Sequence, residues 1–336
     1  MDLSVIIPVY NTPIESLKRC FDSVTFAEDI RYEVIVIDDG SERAVGEFCK
    51  EYTNTRSQFS YHYQSNRGVS AARNAGMSKA IGKYIMYVDA DDELLPNAIK
   101  KEYFHNSFDV VFFDIEVKEQ NRTTRRRVFD FVTNAQLRKK DYVMAACMER
   151  MNSACGCLFL HNLLVQNRIL FDETMVIAED AKFVWGTIQA AQNLFYADDV
   201  IYRYYHSHSN GEKRLVSFPN RVLENLIDFY YLKRKTIEGY GKKWNFTEQE
   251  KLLAEHCLSV RFVEDMFNSL GTLALNKRTW NNMKENIDEA LRGIAAQELK
   301  CFPIKTRIKF WVLKKEGKIL MEVIAILRQI ILVLRG

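Results

Sequence analysis

Two pairs of carboxylates stand at spacings that could do chemistry. Asp89 and Asp91 lie one residue apart in Asp89-Ala90-Asp91-Asp92, after the apolar run Tyr84 to Val88. Such a pair, held on a turn, suits a hard divalent cation that also takes diphosphate oxygens, because Mg²⁺ and Mn²⁺ prefer carboxylate and phosphate ligands. A solvated acidic turn has the same spacing. Asp38 and Asp39, followed by Gly40-Ser41, offer acceptors for a nucleobase imide or a ribose hydroxyl. The alternative there is a helix N-cap with a Gly turn. A third piece runs from Asn66 to Gly76, where a Gly turn leads into a helix of small residues. In it Arg67 and Arg73 offer fixed positive charge to a diphosphate, or serve as surface arginines of an amphipathic helix.

These residues need elements to position them. The first hundred residues alternate β-branched apolar runs with helical periodicity, the βαβ signature of a parallel sheet. Strands are expected at Leu3 to Pro8, Glu33 to Ile37, Tyr61 to Gln64 and Tyr84 to Val88, and helices at Ile14 to Thr25, through Phe48, and at Ser70 to Ile81. Three strands then end in polar clusters at Asn11, Asp38/Asp39 and Asp89/Asp91. Ligands of open α/β sheets bind beyond the carboxyl ends of the strands, so the clusters should converge on one crevice. Further on, Val110 to Val117 and Arg127 to Val132 read as strands around a polar turn, Gln120 to Arg126. A helix follows near Asp141 to Arg150, then an apolar segment at Cys157 to Leu160, a helix opening at Ala178-Glu179-Asp180, and an aromatic strand at Val200 to Tyr205. From Arg221 onward the periodicity is helical, with a soft boundary near Ser217 to Asn220.

The ordered strings VIIPVYN (5–11), VIDDGS (36–41), NRGVSAARNAG (66–76) and YVDADD (87–92) closely resemble the inverting family 2 glycosyltransferases of the GT-A fold, bacterial surface-polysaccharide and lipopolysaccharide type. The resemblance covers roughly the first 210 residues. It implies an α/β chain with a Rossmann-like, mostly parallel sheet, helices on both faces, and a C-terminal helical region. It also implies a UDP-sugar donor whose uracil and ribose meet Pro8, Tyr10, Asn11, Asp38 and Asp39, with Arg67 and Gly68 closing over the nucleotide. Asp89 and Asp91 match the DxD motif that binds ribose and the metal diphosphate, with Mn²⁺ or Mg²⁺ as cofactor. An inverting transfer needs a base for the acceptor hydroxyl. Glu179-Asp180 resembles the family's ED motif, which makes Asp180 the expected base and Glu179 its orienting neighbour; two acids at a helix start also suit the helix dipole. Tyr202 to His208 resembles the aromatic strand that follows, with His206 or His208 near the diphosphate or on the surface. Many relatives carry Trp-Gly-Lys where this chain has Cys155-Gly156-Cys157, so the acceptor contact is open there. The expected acceptor is a glycan or lipid-linked saccharide.

The chain has 336 residues, 47% apolar and 27% charged, enough for one large α/β domain with a helical appendage. We expect a glycosyltransferase domain at 1–216, halved at 105/106 into nucleotide-sugar and acceptor sides, and a helical region at 217–336. The net charge of +3 does not suggest a dedicated nucleic-acid binder, and none is expected as a partner. It is uneven, because residues 300–336 hold nine basic and two acidic residues. The tail 304–336 reads as a basic amphipathic segment for an anionic membrane surface, or as a helix packed on the protein. Arg125-Arg126-Arg127 reads as a solvated hairpin tip or a contact for a lipid diphosphate. Seven scattered cysteines without paired spacing, and no secretory signal at the first residues, lead us to expect a cytoplasmic protein, peripheral on the inner face of the cell membrane. No GxGxxG follows the first strand, against a nicotinamide dehydrogenase, and no Gly-rich basic loop, against a sugar-nucleotide pyrophosphorylase. A catalytically silent sugar-nucleotide-binding or scaffold module would be expected to have lost Asp91 or Asp180; both are present.

Overall fold

The computed structural model describes residues 1–96, 99–105, 107–120, 122–130, 132–205, 217–241, 243–273, 287–294 and 296–314. His206, His208 and residues 315–336 lie outside them. The first strand, β1 (Leu3–Val9), is buried along its whole length, as expected of a strand covered on both faces of a parallel sheet. Helix α1 (Ile14–Ser23) leads to β2 (Tyr32–Asp39), α2 (Arg43–Asn54) to β3 (Phe59–Gln64), and α3 (Val69–Lys79) to β4 (Tyr84–Tyr87). These four strands pair in parallel in the order β3-β2-β1-β4. Val9 lies beside Asp38, and Ile6 beside Tyr87. That register brings the segments after β1, β2 and β4 to one edge of the sheet.

Helix α3 lies close against this sheet because its inner positions are small. A Cβ on Gly76 would come within 2.3 Å of Ile6 Cγ2, so only glycine allows that approach. Ala71 and Ala72 are buried on the same helix.

The remaining elements are β5 (Glu93–Leu94), α4 (Glu102–His105), β6 (Val110–Glu119), β7 (Arg122–Arg126), α5 (Lys139–Cys147), β8 (Cys157–Leu160), α6 (His161–Gln166), α7 (Glu179–Ala190) and β9 (Leu194–Tyr205). They complete a nine-stranded sheet among the described residues. The first half is wholly parallel and the second half mixed: β8 sits antiparallel between β4 and β6, while β6 and β9 run parallel.

One expectation is corrected. The turn after β6 is short, and Arg122–Arg126 is not part of it but forms β7, paired antiparallel with Ile115–Glu119. The segment expected as a strand at 127–132 is irregular where described. The cause is Asp114, completely buried in β6. Its carboxylate accepts from Tyr196 OH at 2.8 Å, the Val128 amide at 3.0 Å and Arg125 Nε at 2.8 Å. The arginine cluster is therefore not at the hairpin tip, although Arg125 and Arg126 are exposed: Arg125 is tied to Asp114, and Arg127 Nε lies 3.8 Å from the same carboxylate.

The chain divides into two compact units, Met1–Thr174 with Glu179–Ser207, and Met175–Ala178 with His208–Gly336. The second contains α8 (Pro219–Tyr240), α9 (Glu248–Leu273), α10 (Ala296–Cys301) and α11 (Ile304–Lys314). Tyr230 of α8 stacks on Phe262 of α9 at 4.4 Å between ring centres. Thr306 of α11 donates to Glu264 of α9 at 2.6 Å, and Lys309 pairs with the same carboxylate. Among the described residues no helix is long and apolar enough to cross a membrane.

Candidate active site

The described site candidates belong to the first unit and gather around the carboxyl edge of β1, β2 and β4. Pro8 is buried in β1 beside Ile37, whereas Tyr10, just past the strand, is 55% exposed. Asn11 takes a positive φ of 48°. Its side chain accepts from the Glu42 amide at 2.7 Å, and its own amide donates to Ser41 Oγ at 3.1 Å. Asn11 thus fastens the end of β1 to the start of α2.

The two acids at the end of β2 build turns. Asp38 accepts from the Ser41 amide at 2.8 Å and from Tyr61 OH at 2.7 Å. Asp39 accepts from Gln64 Nε2 at 2.7 Å, the Arg67 amide at 2.9 Å and the Gly68 amide at 2.7 Å. Both are almost fully buried. Asp39 therefore fixes the 66–68 loop, and Gly68 enters α3 at φ 89°, a conformation that favours glycine. The Arg67 guanidinium, largely exposed, pairs with Glu173 at 2.7 Å.

Arg73 differs most from a surface arginine. It is 3% exposed, with Nη2 on Asp89 Oδ1 at 2.7 Å and Nη1 on Asp180 Oδ1. Its cationic carbon lies 5.1 Å from the Phe171 ring centre, and Phe171 stacks on Phe183 at 4.0 Å with Tyr87 against both. Burial opposes the charge of Arg73, yet Asp180 and Asp89 hold its pKa well above the usual value. One guanidinium thus joins an acid following β4 to an acid opening α7, 91 positions apart in sequence, by the forked geometry that arginine alone provides.

Asp180 keeps 21% of its side chain exposed. Burial raises its carboxyl to about 7, Arg73 opposes this, and Glu179 and Asp89 add to it. With Oδ1 on Arg73, Oδ2 has, among the described residues, a long approach from the Ala154 amide, 3.5 Å. Glu179, the first residue of α7, is buried. Ala154 opens the 154–157 segment in which Cys155 and Cys157 are buried free thiols and Gly156 takes φ 73°. A cavity beside that segment is lined in part by Arg126, Arg150, Ser153 and Gly156.

The acids after β4 divide. Asp89 and Asp91 are half-buried, and the Asp91 carbonyl accepts from Arg19 at 2.6 Å. Asp92 turns inward, 1% exposed, accepting from Tyr202 OH at 2.6 Å and the Tyr205 amide at 2.8 Å. Burial pushes its carboxyl up to about 8, with the charge of Asp89 adding. Tyr202 OH also accepts from the Asp89 amide at 3.1 Å. Asp92, Tyr202, Tyr61 and Gln64 are the positioning residues that sequence reasoning did not pick out. Among the described residues no group of three or more His, Cys, Asp or Glu is arranged to hold a metal. Asp89 and Asp91 provide two hard oxygen donors, which fits a cation that takes its other ligands from a diphosphate and water.

Residues 4–165 match the family model described as Glycosyl transferase family 2. Similar curated proteins include the glycosyltransferase GlyA of Streptococcus pneumoniae serotype 4, 38% identical over 101 residues, which are 30% of this chain and 14% of GlyA. The uncharacterized glycosyltransferase EpsJ of Bacillus subtilis is 25% identical over 214 residues, 60% of each chain. The alignments thus span less than two thirds of either relative. Among solved structures, S. aureus TarS 1–349 in complex with UDP-GlcNAc is similar with a TM-score of 0.66 at 17% identity, over 98% of this chain and 92% of that one. At that identity the likeness establishes the fold.

Proposed function

We propose, for a chain whose residues 4–165 belong to glycosyl transferase family 2, that it transfers a hexose from a UDP-sugar to a hydroxyl of a glycan or lipid-linked acceptor, with inversion, in surface polysaccharide or lipopolysaccharide synthesis. The observation that carries this reading is the Arg73 fork, which joins Asp89 of the strand-end acids to Asp180. It holds a donor-side acid and a proton acceptor in one fixed frame. The UDP-GlcNAc complex of TarS supports a UDP-sugar as donor.

In this mechanism the exposed Tyr10 and the loop held by Asp39 flank the nucleotide. Asp180 Oδ2 accepts the acceptor's hydroxyl proton as its oxygen bonds to the anomeric carbon; the bond from that carbon to the diphosphate breaks on the opposite side, and UDP leaves with the electron pair. A pKa raised to about 7 suits this role, since a base is most effective near the working pH. Asp92, turned onto Tyr202 and Tyr205, fixes the turn that presents Asp89 and Asp91. These two would hold Mn²⁺ or Mg²⁺, which when bound neutralises charge on the departing diphosphate.

The test is UDP release from a panel of UDP-sugars, with Mn²⁺, with Mg²⁺ and with chelator. Metal-dependent release from at least one donor is expected. Binding of UDP-sugars with no turnover on any acceptor tried would favour the silent module, and no binding at all would overturn the proposal.

A further inference from the structure

We propose that the cavity beside the 152–157 segment is an acceptor subsite for a phosphate group, carried by the saccharide that receives the sugar or by the lipid to which that saccharide is linked. The inference rests on the transfer reading, with Asp180 as base, and names the chemistry of the acceptor. Neighbours in a strand point to opposite faces. In β7, Arg125 meets Asp114, whereas Arg126 lines the cavity. Arg126 is exposed and, among the described residues, forms no ion pair; its charge is felt by Tyr204, a neutral phenol. Arg150 lines the same cavity. Its Nη1 holds the exposed Asp130 at 2.6 Å, which leaves the rest of the guanidinium for another oxygen. Asn152 and Ser153 add polar groups to the lining. Ser153 Oγ accepts from the Cys155 amide at 3.1 Å, so its O–H is left to donate.

Among the described residues the lining contains no carboxylate, and buried Phe112 and Val128 form part of the wall. Apolar walls lower the local dielectric and strengthen the attraction of a guanidinium for an anion. A carboxylate's two oxygens are matched by one guanidinium fork. Two guanidiniums, an amide and a hydroxyl suit the three oxygens of a phosphate better. None of Arg67, Arg73, Asp89 and Asp91 lines the cavity, which sets it apart from the site proposed for the donor diphosphate. It is nonetheless close to the base. Ser153 and Cys155 both line it, and the amide of Ala154 between them faces Asp180 Oδ2 at 3.5 Å. Consecutive Cα atoms are about 3.8 Å apart, so the wall of the cavity stands one residue from the group that takes the hydroxyl proton. A phosphate seated there would anchor the acceptor from one side of the segment while its hydroxyl reaches Asp180.

The test uses the full chain saturated with UDP and Mg²⁺, so that the donor side is occupied, and titrates it by calorimetry with glucose 6-phosphate, farnesyl diphosphate, glucuronate and glucose. One of the two phosphate compounds should bind at least about tenfold more tightly than glucuronate or glucose, and which one does so tells a sugar phosphate from a lipid diphosphate. Arg126→Gln and Arg150→Gln should each weaken that binding roughly tenfold or more, one charge-assisted contact being lost, with UDP affinity and thermal melting as in the parent. A parent that binds UDP but neither phosphate compound overturns the inference and leaves the transfer reading standing. Glucuronate bound as tightly as the phosphates overturns the choice of phosphate, and variants that bind like the parent overturn the site. A parent unable to bind UDP overturns the transfer reading and this inference with it.

Discussion

At the scale of single residues the account rests on Asp180 and Arg73. A carboxyl ordinarily near 4 is held at about 7 by burial, so a base at this position is half protonated near neutrality. As pH rises through 7 the proton is lost and the base becomes competent. The kcat profile should therefore climb between about pH 6 and 8, measured by UDP release at saturating donor. Arg73 stabilises the ionised form, so weakening its fork should move that climb to higher pH. Arg73→Lys keeps a charge but cannot reach Asp89 and Asp180 as a planar fork, and should lower kcat roughly tenfold or more. An unshifted profile with unchanged kcat would remove Arg73 from the mechanism. The sequence offered Arg73 as a cation for a diphosphate or as a surface arginine, and its burial between Asp89 and Asp180 was not legible, because the Asp180 that neutralises it lies far along the chain. Asp38 and Asp39 were legible as strand-end acids; that Asp39 spends its oxygens on the 66–68 loop shows only in three dimensions.

At the scale of elements, the parallel half was readable because each buried strand stops at a polar cluster and each helix keeps an apolar stripe. Helix α3 adds a constraint that the stripe does not reveal. The 2.3 Å approach that a Cβ on Gly76 would make to Ile6 predicts that Gly76→Ala destabilises the fold by about 1–3 kcal/mol, read from chemical denaturation. No change would mean that α3 can lift from the sheet freely. The second half was less readable. Nothing local in Cys157–Leu160 says that it inserts between β4 and β6, and an aspartate inside the apolar run of β6 gives no sign of its partners. Because Asp114 satisfies Tyr196, Val128 and Arg125 together, Asp114→Ala should cost about 3 kcal/mol, buried groups being left without acceptors. Asp130 pairs with Arg150 at an exposed site, and Asp130→Ala should stay within about 1 kcal/mol. Equal costs for the two would contradict the role given to Asp114.

At the scale of the whole molecule, the four ordered motifs identified the fold before any geometry, and the TM-score of 0.66 to TarS over 98% of the chain agrees. The division at 207/208 falls a few residues before the compositional boundary, since composition registers where helices begin and packing registers where the sheet ends. If the first unit is a nucleotide-sugar site, UDP with Mn²⁺ at a hundred times its Kd should stabilise the protein by about 2.7 kcal/mol, and chelator should reduce that gain. A melting temperature indifferent to UDP would leave the strand-end cluster without a ligand. The most direct test is one variant, Asp180→Asn, assayed for both UDP-sugar turnover and UDP binding. The account predicts turnover reduced about 10²- to 10⁴-fold with binding little changed. Turnover close to the parent's would contradict Asp180 as the base.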